Sequence, residues 1–198
     1  LGKPTVAKLI ALAVSDWLVI GACWAGMVLT PEYLYPLWAL IVAGRFHAFG
    51  VILHDVTHMA LAKKTGSVRV LEILSGYPIA TTLNAMRYHH LRHHRDSGMP
   101  EDPYFKATVK GRPLLFFLIW VRHLILVPFW TIRGLYGSLA FHIPAMRTSY
   151  GKVFLQDRSG EDLTASAELI ACAREEQGQL LFHAALITAL CFWPEEIA

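Results

Sequence analysis

Charge is scarce in this chain, with 18 Lys and Arg and 15 Asp and Glu among 198 residues, against 55% hydrophobic residues and a net charge of +3. So few charges cannot coat a globule this apolar, which argues against an ordinary soluble domain, and the same apolar content excludes disorder. The small net charge leaves no nucleic-acid footprint. Cysteine is nearly missing: Cys23, Cys172 and Cys191 are far apart and form no CxxC, which excludes a disulfide framework and a zinc ribbon and leaves them as small hydrophobes. Neither the HExxH of a zincin nor the ExxH of a carboxylate-bridged di-iron bundle occurs. The first apolar run is too long for a secretory h-region and has no small-x-small cleavage site after it, so it is not a cleaved signal.

What the chain does have is long apolar runs. Leu9 to Leu29, interrupted only by Ser15 and Asp16, would make a helix about 31 Å long, enough to cross a bilayer core. After a short turn carrying Pro31, Pro36 and two tyrosines, a second transmembrane run covers residues 36–54. Lys3 and Lys8 precede this hairpin, its loop has no Lys or Arg, and Lys63, Lys64 and Arg69 follow it, so both outer ends are expected on the cytoplasmic side. Residues 54–112 are mixed and basic and are placed on that face. Residues 113–140 are apolar again but broken by Arg122, His123, Pro128 and Arg133, which leaves an interfacial or re-entrant segment open beside a clean span. The polar stretch that follows is expected to end in a helix over 166–177, with a further transmembrane helix starting over 180–198. The expectation is a single all-α domain over 1–198: a multi-pass helical membrane protein with a transmembrane hairpin and a cytoplasmic, histidine-lined helical cap. Since it starts at Leu1 and stops just after an apolar run, it reads as an excerpt of a longer protein.

Two charges fall inside the hairpin. Asp16 and Arg45 lie at similar depth from the cytoplasmic end, roughly 10 and 13 Å, so an ion pair between them is expected, with separate snorkelling as the alternative.

Five of the ten histidines are grouped. His54 and His58 form an HxxxH where the second helix reaches the cytoplasm, and His90, His93 and His94 form an HxxHH on the same side. On a helix these spacings put the imidazoles on one face, a metal-binding arrangement. HxxxH arises by chance often and HxxHH rarely, so the second motif carries the inference. Tyr88, Arg92 and Arg95 lie opposite, a face suited to water or phosphate. Imidazole alone does not choose between Zn, Cu, Fe and Ni. Five clustered histidines exceed what one zinc takes and point to two metal ions and redox chemistry.

The HDxxH at residues 54–58, the HxxHHR at 90–95 and the acidic-proline step Glu101-Asp102-Pro103 together resemble the membrane-bound fatty acid desaturase superfamily, which also holds carotenoid hydroxylases and ketolases. The resemblance is good over residues 9–104. It implies two iron ions held by His54, His58, His90, His93 and His94, and the use of O2 and two electrons to desaturate a lipid acyl chain. Hydroxylation or ketolation of a carotenoid or other hydrocarbon is the near alternative. The family's third histidine box is missing from these residues and is expected beyond Ala198. The implied partners are a lipid substrate in the membrane and an electron donor such as a ferredoxin, a rubredoxin or cytochrome b5. Arg92, Arg95, Lys106 and Lys110 could dock such a carrier or lipid headgroups, although a plain positive-inside excess is the preferred explanation for them.

The other histidines have humbler readings. His47 lies too deep to share a metal with His54 and is read as supporting a ligand or as packing; His89 adjoins the second motif and is left open between ligand and support; His123, His142 and His183 are read as interfacial or packing residues. Asp55 is a candidate to orient a ligating imidazole. A different class of protein, one that binds or moves metal without catalysis, is the other reading the histidines allow.

Overall fold

A computed structural model of the chain describes residues 4–59, 64–104, 109–121 and 126–192. All regular structure among them is helical, and the chain divides into two compact units, Leu1–Ile79 and Ala80–Ala198.

In the first unit, α1 (Val6–Leu29) and α2 (Tyr35–Thr57) form the hairpin. Thr5 caps α1 by accepting from the Lys8 N–H at 3.3 Å, and Pro36 in the first turn of α2 uses a position whose N–H needs no partner. Trp38 closes the turn. Its indole N–H donates to Thr30 Oγ1 at 2.9 Å, Thr30 donates to the Gly26 carbonyl at 2.6 Å, and the ring lies against Gly26, where a Cβ would come within 2.9 Å of it. The two segments Val6–Leu29 and Glu32–Thr57 are long and apolar enough to cross a membrane. The expected ion pair is present: Arg45 Nη1 lies 3.1 Å from Asp16 Oδ1. Trp17 packs on Phe49 and donates its N–H to the Leu74 carbonyl at 2.9 Å, fastening α1 to the segment after the hairpin.

That segment holds α3 (Gly66–Leu71), a π-helical turn over Glu72–Gly76 and a 3-10 turn over Tyr77–Ile79. Glu72 is buried, and Lys64 Nζ reaches it at 3.0 Å and Arg69 Nη1 at 3.6 Å. Two of the cations that orient the hairpin by sequence are therefore also ion-pair partners of a buried carboxylate. Lys3 and Lys63 lie outside the described residues.

The second unit contains α4 (Leu83–Asp96), α5 (Pro113–Val121), α6 (Leu126–His142), α7 (Arg147–Phe154) and α8 (Ala167–Cys191). Its apolar core joins Ala85 and Tyr88 of α4, Ala140 of α6, Tyr150 and Phe154 of α7, Leu155 and Leu163, and Leu169, Cys172 and Ala173 of α8. Gly137 lets α6 approach α8, since a Cβ there would lie 2.7 Å from Glu176 Cγ and 2.8 Å from the Tyr150 ring. Arg147 donates to the Ala140, Phe141 and Thr164 carbonyls at 3.1, 3.0 and 2.9 Å, so a cation satisfies the open carbonyls near the end of α6.

Two expectations change here. The helix expected over 166–177 and the apolar helix expected from 180 are one continuous helix, α8. The intervening Gln177-Gly178-Gln179 holds no proline, and Gln179 is buried within the unit rather than facing water. Arg133, read as a charge that breaks an apolar segment, is fully buried: its Nε lies 2.9 Å from Glu176 Oε1, Nη2 donates to the Ala80 carbonyl at 2.9 Å, and the guanidinium covers the Trp130 ring at 4.3 Å. The charge is compensated inside the protein, so it does not mark a water interface there. Arg122 and His123 lie outside the described residues. Cys23 and Cys172 are buried and Cys191 is exposed, and all three are free thiols.

Candidate metal centre

His54 is in the last turn of α2 and His58 is the residue that caps it, with its backbone N–H bonded to the Asp55 and Val56 carbonyls. Ile52, Leu53, Val56 and Thr57 are buried in this stretch, which leaves the half-buried His54 and the exposed His58 on the outer side of the same turn. Their Nε2 atoms approach to 3.4 Å, with ring centroids 4.8 Å apart. Asp55 Oδ1 stands 3.4 Å from His54 Nδ1, the place from which a carboxylate can orient the ring and turn Nε2 outward.

In the second unit, α4 begins at Thr82, whose hydroxyl accepts from the Ala85 N–H at 3.2 Å. Glu175 adds a carboxylate to this end, accepting from the Asn84 backbone N–H at 3.3 Å and from its side-chain amide at 2.9 Å, where negative charge favours a helix start. The spacing of three and four brings His90, His93 and His94 to one side. His90 and His94 approach Nε2 to Nε2 at 2.9 Å, and the His93 ring lies 6.3 Å from His90 and 5.6 Å from His94 by centroids. His93 Nδ1 is 2.8 Å from Asp102 Oδ1, and the Tyr104 ring packs on its face at 4.4 Å.

The opposite side of α4 faces water at Arg95 but is buried at Tyr88 and half-buried at Arg92. Tyr88 is fully buried and donates its hydroxyl hydrogen to Asp157 Oδ2 at 2.7 Å. Arg92 lies over the Tyr88 ring at 3.6 Å and pairs with Glu168 at 3.0 Å and Asp157 at 3.5 Å. Arg92 is thus committed within its own unit and leaves the proposed docking surface. Arg95 pairs with the adjacent Asp96 at 2.6 Å, Lys110 is exposed, and Lys106 lies outside the described residues.

Burial pushes the His89 imidazole down to about 4, helped by the nearby Arg133 charge, so this ring is neutral at ordinary pH. Its Nδ1 lies 2.8 Å from the Ala85 carbonyl, the contact of an N–H donor. Burial raises the Asp102 carboxyl, but hydrogen bonds from His93 and from the Tyr104 and Gly98 amides outweigh it, and the group lies below the usual carboxylate range. Burial and the Asp102 charge push the Tyr104 phenol up to about 12. His47 is exposed on α2. His183 Nδ1 meets the Gln179 carbonyl at 2.9 Å, and His142 meets the Gln177 amide at 2.6 Å.

A donor set made of imidazoles suits iron, zinc or copper. Two ligands on one ion with bonds of about 2.1 Å lie roughly 3.0 Å apart at right angles and roughly 3.4 Å apart at a tetrahedral angle. The separations of 2.9 and 3.4 Å match those figures, so the Nε2 spacing of each pair is that of two ligands on one ion.

The family model for fatty acid desaturases matches residues 31–193, a range that takes in both histidine motifs. The chain belongs to the fatty acid desaturase family. Dihydrorhizobitoxine desaturase of Bradyrhizobium elkanii is 37% identical over 94 residues, which is 46% of this chain and 27% of that protein, so the match spans little more than a quarter of the relative's length. No solved structure matches the chain. The polar partners on α8 are what sequence reasoning missed. Glu168, Glu175, Glu176 and Gln179 recur at helical spacing, and that period could have marked one face of α8 as the partner of buried polar groups.

Proposed function

We propose that the protein is a membrane-bound oxidoreductase that uses O2 and two electrons to desaturate a lipid acyl chain, with His54, His58, His90, His93 and His94 as ligands to two iron ions on the cytoplasmic side of a multi-pass domain. The observation that carries this reading is the HxxHH face of α4, where His90 and His94 approach at 2.9 Å beside a carboxylate-held His93, inside the span matched by the desaturase family. Bound iron supplies the one-electron chemistry that side chains lack for attack on an unactivated C–H bond. The chain's own groups do the holding: Asp55 and Asp102 fix imidazole orientation, and the buried Tyr88, Arg92 and Asp157 fix the helix that presents three of the ligands. The apolar hairpin anchors the domain in the bilayer, from which an acyl chain enters. Electrons come from a soluble carrier of the ferredoxin, rubredoxin or cytochrome b5 kind.

The name of the Bradyrhizobium relative specifies dihydrorhizobitoxine rather than a fatty acid, which favours one second reading, desaturation of a substrate other than a fatty acid by the same centre. Product analysis with acyl and non-acyl substrates separates the acyl-chain reading from this one, and an oxygenated product identifies a hydroxylase or ketolase instead. Replacing His90, His93 and His94 together with alanine in the full-length protein should abolish iron content and product together. Product formation that survives this change would remove the proposal, and a natively expressed protein that carries zinc and no redox-active iron would favour a non-catalytic metal-binding role.

A further inference from the structure

Asp102 stands out because three hydrogen-bond donors meet on its two oxygens. Oδ1 receives the Tyr104 backbone N–H at 2.8 Å and lies 2.8 Å from His93 Nδ1, while Oδ2 receives the Gly98 backbone N–H at 3.1 Å. A backbone N–H can only donate, so both oxygens are acceptors and the hydrogen between His93 and Asp102 belongs to His93. A neutral imidazole with hydrogen on Nδ1 carries its lone pair on Nε2. Gly98, with φ of +81°, permits the tight turn after α4 that brings the Glu101-Asp102-Pro103 step back onto the helix, and the Tyr104 ring then limits rotation of the His93 ring. Asp102 itself is only 4% exposed, so water competes little for these bonds.

We propose that Asp102 is a positioning residue for metal binding: it holds His93 in the single tautomer whose Nε2 can bind the ion and fixes the direction of that nitrogen. This rests on the reading of His93 as a ligand. Only a carboxylate serves here, because an amide has one oxygen and an NH2 group, and with three N–H donors converging, Asp102→Asn must set at least one donor against another.

The test uses the full-length protein. Removing a carboxylate that supports a ligating histidine costs about 10- to 100-fold in metal affinity. Asp102→Asn should therefore raise the Fe(II) dissociation constant by that factor and alter the visible spectrum of the Co(II)-loaded protein; the donor set against donor lowers the unfolding midpoint of the metal-free protein as well, and the spectral change is the readout that a loss of stability alone does not produce. Asp102→Glu, which keeps the charge, should recover part of the affinity. Wild-type affinity and spectrum in Asp102→Asn overturn the inference, and so does a lower affinity accompanied by an equally lowered midpoint and an unchanged spectrum. A second measurement does not depend on the variant folding. In metal-free, 15N-histidine-labelled wild-type protein at pH 8, the resonances lost in His93→Gln should report a protonated Nδ1 and a bare Nε2, and the reverse tautomer overturns the inference. If His93→Ala loses iron and Asp102→Asn keeps it, this inference alone fails; if the wild type takes up no iron, the functional reading fails with it.

Discussion

The two histidine-bearing helix segments are held by different forces. At the end of α2 the side opposite His54 and His58 is apolar and buried through Ile52, Leu53 and Val56, and the acidic neighbour Asp55 is 43% exposed in its side chain. In α4 the side opposite the ligands is held by polar groups, with Tyr88 and Arg92 on Asp157 and Glu168 and Asn84 on Glu175. Apolar packing is non-directional and tolerates small slips, whereas hydrogen-bonded ion pairs specify rotation and register. The helix that presents three imidazoles is the one held by directional contacts.

The largest expected effect that tests this contrast is Asp157→Ala. It strips Tyr88 and Arg92 of a shared buried partner and should cost about 2–4 kcal/mol of stability, read as a shift of the denaturant midpoint, together with reduced iron content. An effect below about 0.5 kcal/mol would mean that α4 is held by its apolar core as α2 is. The same carboxylate has a pH signature. Burial raises its pKa, but hydrogen bonds from Ser159 and Tyr88 and the Arg92 charge outweigh that, leaving it below the ordinary value. Its stabilisation is therefore complete above the ordinary carboxylate pKa of about 3.9 and is lost as pH falls through the lowered one, so Asp157→Asn should flatten acid unfolding below about pH 4.

Asp16→Ala in the hairpin comes next, at about 1–2 kcal/mol, because Arg45 is 42% exposed in its side chain and recovers part of its solvation. Exchanging the two charges, Asp16→Arg with Arg45→Asp, should restore part of the loss; a double variant no better than either single one contradicts the pairing. Smallest is Asp55→Ala, within about 0.5 kcal/mol in stability, with any effect confined to metal affinity.

The hairpin and the ligand faces were legible in the sequence because each depends on local period and run length. Asp16 and Arg45 were matched by depth alone, since the two helices are antiparallel neighbours joined by a short turn. Arg92 and Arg133 were misread for one shared reason: their partners, Asp157, Glu168 and Glu176, are far along the chain, and a cation's neighbours in sequence do not reveal a carboxylate brought against it by folding. The missing break before residue 180 has the same origin, because Glu175, Glu176 and Gln179 look like a solvated connection until Asn84, Arg133 and Tyr150 are placed against them.

Sequence alone determined that this chain is helical, that two helices can cross a bilayer, and that histidines at spacings of three and four share a face, since all of these follow from helical period and apolar length. Tertiary structure decided which carboxylate turns which imidazole, which arginine is buried rather than exposed, and where one long helix replaces two. Those choices depend on contacts such as Tyr88 to Asp157, 69 residues apart, whose geometry exists only once the helices have packed.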